Sequence, residues 1–138
     1  HIARRMIKEL REIVEFEYNS RHIDSLAHIT YMSRYLDECG VIFDLTRFDA
    51  EWRGLFRSMI DCGVALEINT SGLRKGGKLM PDAPLVSLYA DTGGRLFTLG
   101  SDAHTARDVG KNLLDAAKLI PDASLSLLPK ELGKPGIK

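Results

Sequence analysis

Leu96-Phe97-Thr98-Leu99-Gly100-Ser101-Asp102-Ala103-His104 is the stretch on which the reading of this chain turns. Leu96 to Leu99 favour a strand, Gly100 interrupts it, and helix-like spacing begins at Ala106. Two side chains able to hold a metal, Asp102 and His104, therefore fall just past a strand end. In α/β proteins ligands collect at the carboxyl ends of parallel strands, because the loops there converge above a rigid sheet. A carboxylate and an imidazole two residues apart on an extended chain project to the same side. A second reading of the same residues is structural: Asp102 or Thr105 caps the next helix, with Thr105 and Asp108 as a box-like pair.

Outward from this stretch, strands and helices alternate. Upstream, Pro84 opens a helix to about Thr92 with Leu85, Leu88 and Tyr89 inward, and Gly93 and Gly94 stop it. Before that lies a long loop, Thr70 to Asp82, holding Gly72, Gly76, Gly77 and Pro81 among Arg74, Lys75 and Lys78. It exceeds the usual strand-to-helix connection, as functional loops often do. Its glycines let backbone amides approach an anion and Arg74 can grip a phosphate through two hydrogen bonds; composition alone favours a mobile, solvated basic loop. The loop follows a strand, Val64 to Asn69, with Val64, Leu66 and Ile68 on one face and Ala65, Glu67 and Asn69 on the other. Glu67 and Asn69 need partners if that face is covered, and none if it is a solvent-facing edge.

Further upstream, Trp52, Leu55, Phe56, Met59 and Ile60 follow a helical period, with Asp49 as the expected cap and Gly63 as the stop. Val41 to Phe48 is ambiguous, and Tyr31 to Asp37 suits a helical turn. Ile23 to His28 reads as a short strand with Asp24, Leu26 and His28 on one face, after a turn at Asn19, Ser20 and Arg21. His28 then sits at a strand end, either as a hydrogen-bonded rim residue or as a ligand. Ile2, Met6, Leu10, Ile13 and Val14 mark an amphipathic helix to about Glu17. That helix starts at once, with His1 expected at the surface and no leader, as in a chain that begins inside a larger architecture. Downstream, a helix is expected from Ala106 to Ile120 with Val109, Leu113, Ala116 and Ile120 inward, ended by Pro121. The tail, residues 121–138, carries Pro129, Gly133, Pro135 and Gly136 and reads as loosely docked.

The order helix, strand, helix, strand, helix, strand, helix is the rhythm of a parallel sheet with crossover helices. At 138 residues the chain suits one domain. Nineteen basic residues balance nineteen acidic ones, so no global field draws it to nucleic acid or to an anionic membrane. No apolar run is long enough to span a bilayer. Cys39 and Cys62 form no metal-type pair and are expected as free thiols in a reducing compartment, the cytoplasm.

The segment Leu66-Glu67-Ile68-Asn69-Thr70-Ser71-Gly72-Leu73-Arg74-Lys75, followed by Leu99-Gly100-Ser101-Asp102-Ala103-His104, closely resembles the polymerase and histidinol phosphatase (PHP) superfamily, and within it the histidinol-phosphate phosphatase branch. Asp24-Ser25-Leu26-Ala27-His28 is similar to that family's internal histidine motif, and Asp108-Val109-Gly110 to the start of its last barrel helix. The resemblance implies a distorted seven-stranded β/α barrel, of which residues 1–120 form the carboxyl-terminal part. It also implies a site of two or three divalent metal ions (Zn, Mn or Fe) acting on a small phosphomonoester, L-histidinol phosphate. His28, Asp102 and His104 become metal ligands, Asp102 also contacts the attacking water, Arg74 binds phosphate, and Glu67 and Asn69 orient the site. The amino-terminal His-x-His pair of the family, with its following glutamate and histidine ligands, has no counterpart here, and His28-Ile29-Thr30 lacks the aspartate often found two residues after the histidine. Association with a second copy or with the missing half of the barrel is therefore expected. The alternatives are a phosphoesterase for another phosphomonoester or a nucleotide, and a catalytically dead interaction module.

Overall fold

The computed structural model describes residues 2–17, 23–41, 44–75, 77–121 and 126–127. His1, the turn expected at Asn19, Ser20 and Arg21, Gly76, and the prolines and glycines of the tail lie outside them. In chain order the elements are α1 (Ile2–Glu17), β1 (Ser25–Leu26), α2 (Tyr31–Glu38), α3 (Asp49–Cys62), β2 (Ala65–Asn69), α4 (Ala83–Asp91), β3 (Leu96–Gly100), α5 (Leu113–Ala117) and β4 (Ser126–Leu127). This is an α/β chain with a parallel sheet in the order β1-β2-β3-β4. The fourth strand falls in the segment expected as a loose tail: Ser126 and Leu127 pair with Leu96 and Phe97.

Register divides the sheet into two unlike faces. Leu26, Leu66 and Phe97 align across three strands, and Ile68 aligns with Leu99; these apolar side chains share a single core with Trp52, Leu55, Phe56 and Met59 of α3, Leu85 and Tyr89 of α4, and Ala116 of α5. By the alternation of a strand, Ser25, Ala65, Glu67, Asn69, Thr98 and Gly100 belong to the other face. That face carries hydrogen-bonding groups: the Ser25 and Thr98 hydroxyls meet at 2.6 Å, across the width of β2. The helices thus cover one face, and the polar side chains hold the other.

The helix core is aromatic. Trp52 stacks on Phe56 at 5.8 Å, and Phe56 and Phe97 each meet the Tyr89 ring edge-on, at 5.2 and 5.1 Å. The Tyr89 hydroxyl donates to the Leu96 carbonyl at 3.2 Å, and burial pushes its phenol pKa up to about 12. Gly94 is required there, since a Cβ on it would lie 2.3 Å from the Tyr89 ring.

Several expectations are corrected. Asp49 is the first residue of α3 and not its cap: Phe48 holds the cap position, and the Asp49 carboxylate accepts from Arg53 one turn on. Gly63 ends the helix as expected, at φ 69. In α1 the buried positions are Ala3, Ile7 and Val14, while Ile2 and Ile13 of the expected stripe are exposed. Ambiguous residues 41–48 contain a 3₁₀ turn, Leu45–Phe48, capped by Asp44. The long helix expected from Ala106 to Ile120 is broken into a 3₁₀ turn, Ala106–Asp108, and the short α5. Gly110 and Asn112 both take positive φ, 76 and 61, which an α-helix excludes, so Val109 stays 72% exposed instead of turning inward.

Candidate active site at the strand ends

Three parallel strands deliver the candidate residues to one end of the sheet. His28 lies two residues beyond β1, Asn69 ends β2, and Asp102 and His104 follow β3. The strand pattern had put His28 on the face of Leu26. Instead His28 takes φ 57, the pleat ends, and its Nε2 lies 3.0 Å from the Asn69 amide nitrogen on the polar face. Asp102 is also left-handed, at φ 46. Left-handed backbone is costly for residues with a Cβ, and such residues cluster at functional sites. Both strand ends that carry candidate ligands therefore depart from extended geometry.

Asn69 is the fixed point of the cluster. It is 1% exposed, and its Oδ1 accepts from the Ser71 backbone N–H at 2.9 Å. That bond orients the amide, so Nδ2 points at His28 Nε2 and at Glu67 Oε1, the latter at 3.2 Å. With Nδ2 donating, His28 Nε2 accepts, which leaves the ring proton on Nδ1. The Glu67 carboxylate lies over Gly100, where an added Cβ would come within 2.8 to 3.0 Å of it. The single glycine of the opening stretch thus makes room for a carboxylate on the neighbouring strand. Glu67 and Asn69 are accordingly not on a solvent-facing edge: β2 lies between β1 and β3.

The Asp102 carboxylate stands between two imidazoles. Its Oδ2 lies 3.7 Å from His28 Nε2 and its Oδ1 3.4 Å from His104 Nε2. Asp102 is not extended, yet it still meets His104, whose side chain is 85% exposed. Asp102 is not the helix cap either: Thr105 holds that position for the following 3₁₀ turn, without a side-chain cap bond. Its hydroxyl donates instead to Asp108 Oδ2 at 2.7 Å. The Lys111 ammonium, and then that hydroxyl, hold the Asp108 carboxyl down at about 2 from its usual 3.8. This tie is complete above about pH 4 and is lost as pH falls through about 2.

Imidazole nitrogen and carboxylate oxygen suit zinc, manganese or iron. Two donors each about 2.0 to 2.2 Å from one tetrahedral ion sit about 3.4 Å apart, so the His104–Asp102 pair has fitting separation, whereas His28 Nε2 is already taken by the Asn69 amide. The histidines, however, approach opposite oxygens of Asp102, and among the described residues no three His, Cys, Asp or Glu side chains form a group that could hold a metal ion. The donor chemistry fits a divalent ion; the set is open.

Arg74 sits in a 3₁₀ turn, Ser71–Lys75. The loop expected to be mobile and solvated is folded back on the strand end: Asn69 and Met80 exchange both backbone hydrogen bonds, at 2.8 and 3.0 Å. Gly72 is packed so closely that a Cβ would lie 2.1 Å from the Lys78 carbonyl oxygen. Gly72→Ala is therefore expected to lower stability by about 1 to 3 kcal/mol through overpacking, read as a shifted midpoint in urea unfolding; an unchanged midpoint would show that the loop gives way freely. Arg74 Nη2 donates to the Asp102 carbonyl at 2.8 Å, and Nη1 donates to the Ser101 carbonyl.

Three residues not singled out from sequence complete the frame. Ser71 orients Asn69 through its backbone, and its own hydroxyl is buried without a hydrogen-bond partner among the described residues. The Thr70 backbone N–H donates to the Gly100 carbonyl, and its hydroxyl to the Lys111 carbonyl, joining the loops after β2 and β3. Ser101 Oγ accepts from the Gly110 N–H at 3.2 Å. A Thr-Ser pair straight after a strand is the available sequence signal, since both bond readily to nearby backbone.

A polar, imidazole- and carboxylate-bearing strand-end site on an α/β sheet is the class these residues define. The chain is similar to the probable histidinol-phosphatase of Thermotoga maritima, 40% identical over 89 residues, which is 64% of this chain and 36% of that protein. It is similar also to the probable histidinol-phosphatase of Clostridium acetobutylicum, 32% identical over 104 residues, 75% of this chain and 41% of that protein. The chain thus spans about two fifths of the length of these curated relatives. No protein-family profile matches it, and no solved structure does. Among the described residues, no helix is long and apolar enough to cross a membrane.

Proposed function

We propose that this chain is the carboxyl-terminal part of a PHP-type β/α barrel, a metal-dependent phosphomonoesterase whose substrate is L-histidinol phosphate. The observation that carries the proposal is the meeting of His28, Asn69, Asp102 and His104 at the carboxyl ends of three adjacent parallel strands. Sequential strand order with helices on one face is what a barrel sector requires, because crossovers of one hand that advance in one direction keep all helices outside. The two relatives' names support the phosphatase reading.

In this reading His28, Asp102 and His104 hold divalent ions, which supply Lewis acidity for a water and offset charge on the phosphoryl oxygens. Asn69 holds the Nε2 edge of His28 on the polar face, and ligation through that nitrogen displaces the Asn69 amide from it. Glu67 fixes the Asn69 amide from the other side. The guanidinium of Arg74 has five N–H donors; two go to carbonyls, and those remaining contact the phosphoryl group. The open donor set favours a second statement: this chain by itself turns over little, and the remaining ligands come from polypeptide beyond it.

The test is a chimera joining this chain to the part of the Thermotoga maritima relative that it does not match, assayed for phosphate release with Zn, Mn and Fe salts. Histidinol phosphate is expected to be hydrolysed by the chimera, and far less by the chain alone. A folded, metal-loaded chimera that releases phosphate from other monoesters but not from histidinol phosphate overturns the substrate assignment. One that acts on no phosphomonoester overturns the phosphatase.

A further inference from the structure

We infer that Arg74 is a positioning residue, whose guanidinium fork fixes the left-handed backbone of Asp102 and so aims the Asp102 carboxylate between His28 and His104. It rests on the proposed function only for its effect on metal; its structural content stands apart from that reading.

The argument begins with strain. Asp102 has φ 46 and carries a Cβ, so its conformation persists only if neighbours impose it. The carbonyl before that residue and the carbonyl of the residue itself, Ser101 and Asp102, are both taken by one planar group, Nη1 on the first and Nη2 on the second. Two parallel N–H donors in a rigid fork set the relative direction of two successive carbonyls, and hence the torsions of the residue between them. A lysine ammonium is a point charge on a flexible stem and sets no such direction.

The fork is itself anchored. Its 3₁₀ turn begins at Ser71, whose N–H is held by Asn69, and the Thr70 N–H is held by Gly100. The close contact of Gly72 with the Lys78 carbonyl keeps the turn compact. The arginine thus projects from the end of β2 and grips the chain leaving β3, while Asn69 at the same strand end holds His28. One strand end positions residues from both of its neighbours.

A phosphate-only arginine and a positioning arginine predict different results before any substrate is added. Two readouts are taken in phosphate-free buffer on Arg74→Lys and Arg74→Ala. The first is the carbon-13 chemical shift of Asp102 in the isotopically labelled chain, which reports positive φ without need of metal. Both variants are expected to move Asp102 away from left-handed shifts, with thermal unfolding close to that of the unaltered chain, and lysine is expected not to rescue. The second is manganese or zinc affinity of the chimera by calorimetry, expected to fall about 10- to 100-fold in both variants, as for other groups that orient ligands. If either variant is folded and keeps left-handed shifts at Asp102, the positioning role is wrong. Moved shifts with unchanged metal affinity retain the backbone role and overturn Asp102 as a ligand. Unmoved shifts and affinity, with a raised KM for histidinol phosphate, leave Arg74 as a phosphate contact alone.

Discussion

Trp52→Ala is expected to lower the free energy of unfolding by about 3 to 5 kcal/mol, a large part of the roughly 5 to 15 kcal/mol that holds an ordinary domain folded. Trp52 has no exposed surface. Its ring stacks on Phe56, and through Phe56 and Tyr89 it joins α3 to α4 and β3. Its Nε1 donates to the Leu45 carbonyl at 3.0 Å, so truncation opens a cavity and also strips that carbonyl of a donor. Urea unfolding followed by far-UV circular dichroism is the measurement, because Trp52 is the sole tryptophan and its fluorescence is lost with it. Trp52→Phe keeps most of the ring and loses the hydrogen bond, and is expected to cost clearly less. Equal losses in the two variants would mean that the hydrogen bond, and not packing, dominates.

The periodicities that made α3, β2, α4 and β3 legible are those of buried faces, where burial imposes one period on the sequence. Trp52, Leu55, Phe56 and Met59 are all buried as their spacing demanded, and Leu66 and Ile68 face the same core. Where two residues take positive φ, periodicity failed. Val109 and Leu113 kept helical spacing, yet the backbone at Gly110 and Asn112 broke the helix. His28 was legible as a strand-end residue but not as one that crosses to the polar face, because that crossing lives in a single backbone torsion. Asn69 and Glu67 were expected to orient the site only through the motif they share with the PHP proteins, whereas the bond that orients Asn69 comes from the Ser71 backbone, which side-chain pattern does not encode. The contact of Arg74 with two carbonyls is likewise tertiary. Charge and loop composition favoured a solvated basic loop, the resemblance implied a phosphate contact, and both carbonyls belong to a loop that follows a different strand.

Asp102→Asn is expected to abolish turnover of histidinol phosphate while leaving the fold in place, and the substitution is unusually clean at this position. Asparagine visits left-handed backbone as readily as aspartate does, so φ 46 costs the variant nothing new, and the hydrogen bond from Arg74 to the residue's carbonyl is untouched. What changes is charge: one oxygen becomes an amide, and the carboxylate that lies 3.7 Å from His28 and 3.4 Å from His104 is gone. A divalent ion contributes several kcal/mol to a phosphoryl-transfer transition state, and losing only about 3 kcal/mol of it slows turnover by about two decades. Asp102→Ala confounds the comparison, since it removes the charge and also puts a residue with no local hydrogen-bonding group at positive φ. The pair therefore separates chemistry from backbone. The decisive measurements are phosphate release and bound metal, by elemental analysis after dialysis, in a chimera whose unaltered form is active. Loss of activity together with loss of metal assigns Asp102 as a ligand. Loss of activity with metal retained makes its role the orientation of the attacking water. Near-normal turnover in the folded variant removes it from the chemistry and leaves the His28–Asp102–His104 cluster as a structural tie between β1 and β3.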